Sequence, residues 1–376
     1  MNLATFRQNL LKPSVKLRYK FLYDSADRTD MITKNGLGTI RRDVNLSSGK
    51  AVITLNNAGG WWNFLHGSND ALGDTAEIQV YIEGDAANAY TLFKGTTRNP
   101  KFVGSTVTLN IKDHNSRFLD VKVGSNKDPV TNWQAQSSSV AEVAWELLVD
   151  HGELSGLNSP ANTDIDYVSF ARWRDNHIIA NNYEIKGKPA GQGVAECLMI
   201  ICQMTHSYIW VNNNGLVEFA PPYEPGFAYD ENNTGKESKP GQGRDLEIED
   251  DKILNDVTVR RGHNFTIGSW VGSVNDTSAA SIAKFGTYDK VIEGRVFTHS
   301  TEPSAQSDLD ATIADYAFPL RFFNLIGGYP AIMEDLGRSI TISDALKGIS
   351  NESAYVEKII YDLNTWEVEI QARWPW

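Results

Sequence analysis

Thr106-Val107-Thr108-Leu109-Asn110-Ile111-Lys112 makes every second side chain apolar and leaves the ones between polar. Alternation with period two marks a half-buried strand, because successive Cβ atoms point to opposite faces of a sheet. The same pattern recurs upstream. Val15-Lys16-Leu17-Arg18-Tyr19-Lys20-Phe21 sets apolar groups against cations, and Ile78, Val80 and Ile82 alternate with Gln79, Tyr81 and Glu83. Lys50-Ala51-Val52-Ile53-Thr54-Leu55 and Tyr90-Thr91-Leu92-Phe93-Lys94 fill out the set. Residues 14 to 124 therefore predict an antiparallel sheet folded into a barrel or sandwich.

Helical period follows. Ser139 and Glu142 have the spacing of a capping box, and Val140, Val143, Ala144, Leu147 and Leu148 form an apolar stripe that stops at His151-Gly152. A second helix is predicted from Val194 to Met204. It leads into Tyr208-Ile209-Trp210-Val211, a turn at Asn213-Asn214-Gly215, and Leu216-Val217-Glu218-Phe219, which together make a hairpin. From Ala220 to Arg244, prolines and Asn/Gly runs predict a linker. Strand signals resume at Asp256-Val257-Thr258-Val259-Arg260, and a helix near 308–318 ends at Pro319. In the last strand Trp366, Val368, Ile370, Ala372 and Trp374 alternate with Glu367, Glu369, Gln371 and Arg373. The predicted class is mainly β with an α+β middle, two β-barrel-like domains flanking a helix-containing one. The predicted boundaries are 1–127 for the first barrel and 128–244 for the middle domain with its Pro/Gly-rich linker. The second barrel, with its inserted helix, takes 245–376.

Of the 376 residues, 41% are hydrophobic and 22% charged, the profile of a folded chain. A formal charge of -12 argues against a surface that grips nucleic acid, though not against a wall past which nucleic acid slides. The N-terminal residues lack a secretory pattern and no run approaches the roughly 20 apolar residues of a membrane span, so synthesis in a cytoplasm is expected, without a membrane segment. Cys197 and Cys202 lie about 140° apart on a helix, too far round it to pair easily, and read as buried small hydrophobes.

Sites of chemistry are hard to find. Glu146 and Asp150 stand one helical turn apart, as paired carboxylates would, but on the polar side of an amphipathic stripe. Asp164-Ile165-Asp166, Glu247 with Glu249, and Asp250-Asp251 lack the oxygen spacing of a calcium loop. The seven histidines show no HxxxH or HExxH pair, Thr234-Gly235-Lys236 lacks the first glycine of a phosphate loop, and no GxSxG elbow occurs. The expectation is a chain without catalytic, metal-binding or cofactor-binding residues. Aromatic pairs remain. Trp61, Trp62, Trp374 and Trp376 are candidate interface anchors; Trp61-Trp62 also reads as a sugar platform or as a plug for a barrel end.

Several segments taken together resemble the baseplate hub proteins of phage tails and gene transfer agents. They are Gly49–Asn57, Leu92-Phe93-Lys94-Gly95-Thr96 with Val107–Asp113, Ala141–Leu148 with Gly152-Glu153-Leu154, Gly193–Leu198 with Trp210–Phe219, and Leu336–Ile342 with the closing hairpin. One departure is the turn before the last barrel, where Leu336-Gly337-Arg338 lacks the family's aspartate. The resemblance implies a non-enzymatic structural subunit of the virion tail tip, a homotrimeric ring adapting a sixfold tail tube or distal tail protein to a threefold spike or fibre. It implies DNA passing transiently through the lumen, without specific binding, during ejection. The alternative is a tail-tip adhesin for an envelope glycan, with Trp61 and Trp62 as its platform.

Overall fold

The computed structural model describes residues 15–44, 49–62, 73–113, 121–124, 138–220, 245–327, 336–337, 339–344 and 349–374, together with Phe6, Leu10 and Phe118. Alternation becomes burial as expected: Val107, Leu109 and Ile111 are all 1% exposed or less, with Ala51, Ile53 and Leu55 on the strand beside them. The first strands are β1 (Leu17–Tyr23), β2 (Ala26–Asp27), β3 (Ile32–Asp43), β4 (Lys50–Asn56), β5 (Thr75–Ile82), β6 (Tyr90–Val103) and β7 (Thr106–Asp113). They pair antiparallel in the order β2-β1-β5-β6-β7-β4-β3.

The middle of the chain carries β8 (Ser138–Ser139), α1 (Val140–Glu146), α2 (Tyr167–Trp173), β9 (Glu184–Gly187), α3 (Val194–Met204), β10 (Tyr208–Val211) and β11 (Val217–Ala220). Both α1 and α2 run on as wider π-helical turns, Leu147–His151 and Arg174–Ile179. Ser139 is the N-cap of α1 but its side chain caps nothing. The residue belongs to β8, and the first helical amide, Val140 N–H, donates to Tyr183 C=O at 3.2 Å instead. At the other end Gly152 keeps a right-handed conformation, and Glu153 takes the left-handed one with φ 58°. α2 was not foreseen; Asp166 caps it by accepting from Val168 N–H and Ser169 N–H. The helix predicted from Val194 to Met204 and the hairpin after it are both present, and both cysteines are buried and free.

The last third holds β12 (Asp245–Glu249), β13 (Asp256–Arg261), β14 (Gly272–Thr277), α4 (Ala279–Phe285), β15 (Asp289–Glu293), β16 (Phe297–His299) and α5 (Glu302–Tyr316). It closes with β17 (Leu320–Gly327), β18 (Ser339–Asp344), β19 (Ile349–Asp362) and β20 (Glu367–Trp374). Strand β19 pairs with β3, from Lys358 opposite Asp43 to Asp362 opposite Thr39. That pairing joins the N-terminal strands to β18, β19, β20, β17 and β12 in one antiparallel sheet of 12 strands. One apolar cluster lies under it, drawing Phe21, Ile53 and Leu109 from one end of the chain and Val356, Ile359 and Val368 from the other. Between β12 and β17 stands a smaller α/β module. Here β13 pairs antiparallel with β14 and parallel with β15, and α5 covers them through Val257, Val259, Ala305 and Leu309. The helix predicted near 308–318 begins earlier, where Thr301 accepts from Ser304 N–H and Pro303 sits in the first turn. The linker read from Ala220 to Arg244 lies, but for Ala220 itself, outside the described residues.

Gly337 shows how the closing strands seat on the middle hairpin. Its φ is 67°, and a Cβ there would lie 2.5 Å from the indole of Trp210, which is 2% exposed. Gly337→Ala should therefore cost about 1–3 kcal/mol from left-handed strain and displacement of the ring. A denaturant midpoint equal to that of the parent chain would refute this.

Candidate functional site

The densest buried chemistry lies where the middle region, the α/β module and the large sheet meet. Helix α5 places Asp308, Thr312 and Asp315 on one face, at the four- and three-residue steps of a helical turn. His206, in the left-handed bend between α3 and β10, reaches that face. Its Nδ1 lies 3.0 Å from Asp315 Oδ2 and its Nε2 3.1 Å from Asp308 Oδ1. His299, on β16, approaches the other Asp308 oxygen at 2.9 Å. Across the junction Arg373 of β20 stands 3.7 Å from Asp315 and 4.0 Å from Glu357 of β19. Tyr208 donates to that same glutamate at 3.2 Å.

Burial alone would lower the pKa of His206, but hydrogen bonds to Asp308 and Asp315, and their charges, raise it to about 9. His206 is thus an imidazolium at neutral pH, donating through both ring nitrogens. Burial pushes Asp308 upward, and the hydrogen bonds from His206 and His299 overcome this and hold the carboxyl below its ordinary value. Glu357 goes the other way: burial raises it, and Arg373 and Tyr208 only partly oppose that.

Ser304, His299 and Asp308 are linked in series, with Ser304 Oγ 2.8 Å from His299 Nδ1. The order is that of a hydrolytic triad, but the accessibility is not. Ser304 is fully buried, accepts from Glu184 N–H and donates to Glu184 C=O, both at 3.0 Å. Such a hydroxyl stitches α5 to β9, and no substrate carbonyl can reach it. Above the network opens a cleft of about 740 Å³, walled by Met199, Ile200, Leu254, Ile292 and Phe322.

A second buried charge fastens the middle hairpin to the sheet. Arg42 of β3, 2% exposed, donates to Val211 C=O at 2.8 Å and to Asn213 Oδ1. Asn213 in turn donates to Tyr90 Oη at 2.7 Å. Asp113, which accepts from Gly49 N–H, is pushed up to about 7 by burial, against the pull of Arg42 and that amide.

The tryptophans singled out from the sequence sit elsewhere. Trp62 is 2% exposed; its N–H donates to Asn57 Oδ1 at 2.9 Å and its C=O accepts from the Asn57 amide at 3.0 Å. Trp61 is half-buried, edge-on to Trp62 at 4.4 Å between centroids, with the Arg28 guanidinium 4.4 Å above its ring. Trp374 is half-buried, with Arg321 3.6 Å over its face and Phe323 stacked at 5.3 Å. Trp376 and Thr234-Gly235-Lys236 lie outside the described residues. Glu146 is half-buried, Asp150 is exposed, and Asp164 accepts from Ser155 N–H at 2.8 Å. Among the described residues no group of histidines, cysteines and carboxylates has metal-site geometry.

No protein-family model matches the sequence, and no curated protein does either. Solved structures do match in fold. A tail protein from Neisseria meningitidis aligns over 95% of this chain and 96% of its own, with TM-score 0.56 and 12% identity. A 43 kDa tail protein of prophage MuSo2 from Shewanella oneidensis covers 95% and 98%, with TM-score 0.54 and 11% identity. A prophage tail protein from Listeria monocytogenes covers 94% of both chains, with TM-score 0.50 and 9% identity. At such identities the likeness is one of fold, and it spans nearly the whole of every chain.

Proposed function

We propose that the chain is the structural hub subunit of a phage-type tail tip and works by assembly, not by catalysis. The observation that carries this reading is the end-to-end likeness of fold to three tail proteins, with 94–98% of each chain aligned. Fold alone does not fix function, but two further features favour a scaffold. The charged side chains at the junction are spent on one another, which makes them mortar between parts. The one serine in a triad-like series is sealed inside. An adhesin reading would rest on Trp61 and Trp62, and Trp62 is held in the core.

In this proposal three copies close into a ring through a heterologous contact. The ring meets a sixfold tail tube or distal tail protein on one side and a threefold spike or fibre on the other. DNA crosses the lumen without being held, which suits a chain of net charge -12. Mass photometry of the purified chain, with negative-stain class averages, should give three times the 41.8 kDa protomer and a ring with a central hole. A monomer that stays compact when mixed with tail-tube and distal tail proteins would overturn the proposal.

A further inference from the structure

The two most exposed large apolar side chains of the described residues, Ile267 at 72% and Val271 at 71%, share one hairpin. It connects β13 to β14 and is firmly built. Asn264 N–H donates to Ser269 C=O at 2.7 Å, Gly268 N–H to Asn264 C=O at 2.8 Å, and Asn264 Oδ1 accepts from Thr266 N–H at 3.0 Å. Ile267 is therefore held at the apex by the backbone, and its exposure does not come from a loose end.

The hairpin is also layered. Below the Asn264–Ser269 bridge, His263 packs against Trp270 at 4.6 Å and reaches Phe265 of the apex loop at 4.9 Å between centroids, both half-buried. Val271 lies lowest, its N–H donating to Arg261 C=O at 3.2 Å. From Gly262 to Asn275 there are 14 residues without one Asp, Glu, Lys or Arg, in a chain that is 22% charged. Charge returns only at the base. There Arg260 pairs with Glu293, Arg261 with Glu302 at 2.9 Å, and Arg295, 83% exposed, stands 3.9 Å from Glu293. That collar holds three arginines against two glutamates.

We infer that this hairpin is a lipid-contacting tip, its apex entering the boundary of a bilayer and its arginine collar resting among the headgroups. Ile267 and Phe265 beyond the Asn264–Ser269 bridge, His263 and Trp270 beneath it, and the arginines at the base follow the order in which a membrane interface presents hydrocarbon, interfacial zone and charge. A protein partner would have to bring a pocket shaped for the apex, whereas a bilayer receives it without one. The inference does not need the ring: it concerns a surface each copy carries.

Flotation of the full chain with vesicles of phosphatidylcholine alone, and of equal parts phosphatidylcholine and phosphatidylglycerol, tests it. The parent chain should float with both, and better with the anionic vesicles. An Ile267→Asp, Val271→Asp double variant should bind about tenfold less or weaker still, since the first change places a carboxylate where hydrocarbon is expected and the second sets one beside Arg261, against the headgroups. Both positions are open, so its circular dichroism and melting should match the parent's. Val168→Asp, at a position 58% exposed on α2, should leave flotation unchanged. A parent chain that floats with neither vesicle overturns the inference, as does a double variant that floats as well as the parent. If the double variant instead breaks an oligomer that the parent forms, the hairpin is a contact between copies and the lipid assignment fails.

Discussion

Replacing His206 with alanine should cost about 3–5 kcal/mol at neutral pH, the loss expected when one partner of a buried ion network is removed and its counter-charges stay behind. The charges left behind are Asp308 and Asp315, whose side chains are 3% and 8% exposed. Arg373 stands near Asp315 but at 3.7 Å, and it also serves Glu357. It cannot replace two hydrogen bonds near 3 Å. The loss should appear as a lower denaturant midpoint and as faster hydrogen exchange along Glu302–Tyr316, the helix that His206 holds. A variant whose helix exchanges at the parent's rate would show the network to be ornamental.

The same network sets a pH window. His206 is raised from 6.5 to about 9, so the folded state binds its proton more tightly than the unfolded chain does. Its contribution is complete below pH 6.5 and is lost as pH rises through about 9. The rise corresponds to roughly 3 kcal/mol, consistent with the alanine figure. Asp308, lowered from 3.8, works in the opposite sense: its contribution is present above that value and disappears as pH falls through the folded one. The network's contribution should therefore be greatest between about pH 3.8 and 6.5, decline as pH rises from 6.5 through about 9, and decline again in acid, and His206→Ala should flatten the alkaline fall.

The sequence foretold faces far better than partners. Alternation identified which side of each strand is buried, since period two dictates it whatever the strand pairs with. It carried no signal that β3 would meet β19, more than 300 residues away, because pairing between distant strands leaves no local trace. The junction was hidden for a related reason. Its histidines lie on a bend and a strand, 93 positions apart, so they read as scattered. Only one local cue existed, the polar stripe of Asp308, Thr312 and Asp315 behind a Thr301-Glu302-Pro303 start. The capping box misled because spacing does not aim the hydroxyl: Ser139 has the extended backbone an N-cap takes, φ -59° and ψ 135°, yet its side chain accepts nothing from the helix.

Arg42→Ala should be comparably costly, about 3–5 kcal/mol at pH 8, and less at pH 5. Its guanidinium supplies buried donors to Val211 and Asn213, so both acceptors lose their partner at any pH. The pH-dependent part comes from Asp113. With its carboxyl pushed up to about 7, Asp113 is protonated at pH 5 and has little charge for Arg42 to meet. At pH 8 it is ionised, and Arg42 provides the charge that opposes burial. Asp113→Asn separates the two effects. Because the folded carboxyl titrates near 7 and the unfolded one near 3.8, the unfolded chain loses its proton first, and stability falls as pH rises between those values. An amide that never ionises escapes that fall while still accepting from Gly49 N–H. Asp113→Asn should match the parent at pH 4 and exceed it at pH 8 by something on the order of 2 kcal/mol. Denaturant titrations at the two pH values decide the matter: a variant less stable than the parent at pH 8 would mean that the Arg42–Asp113 attraction outweighs the cost of burying the charge.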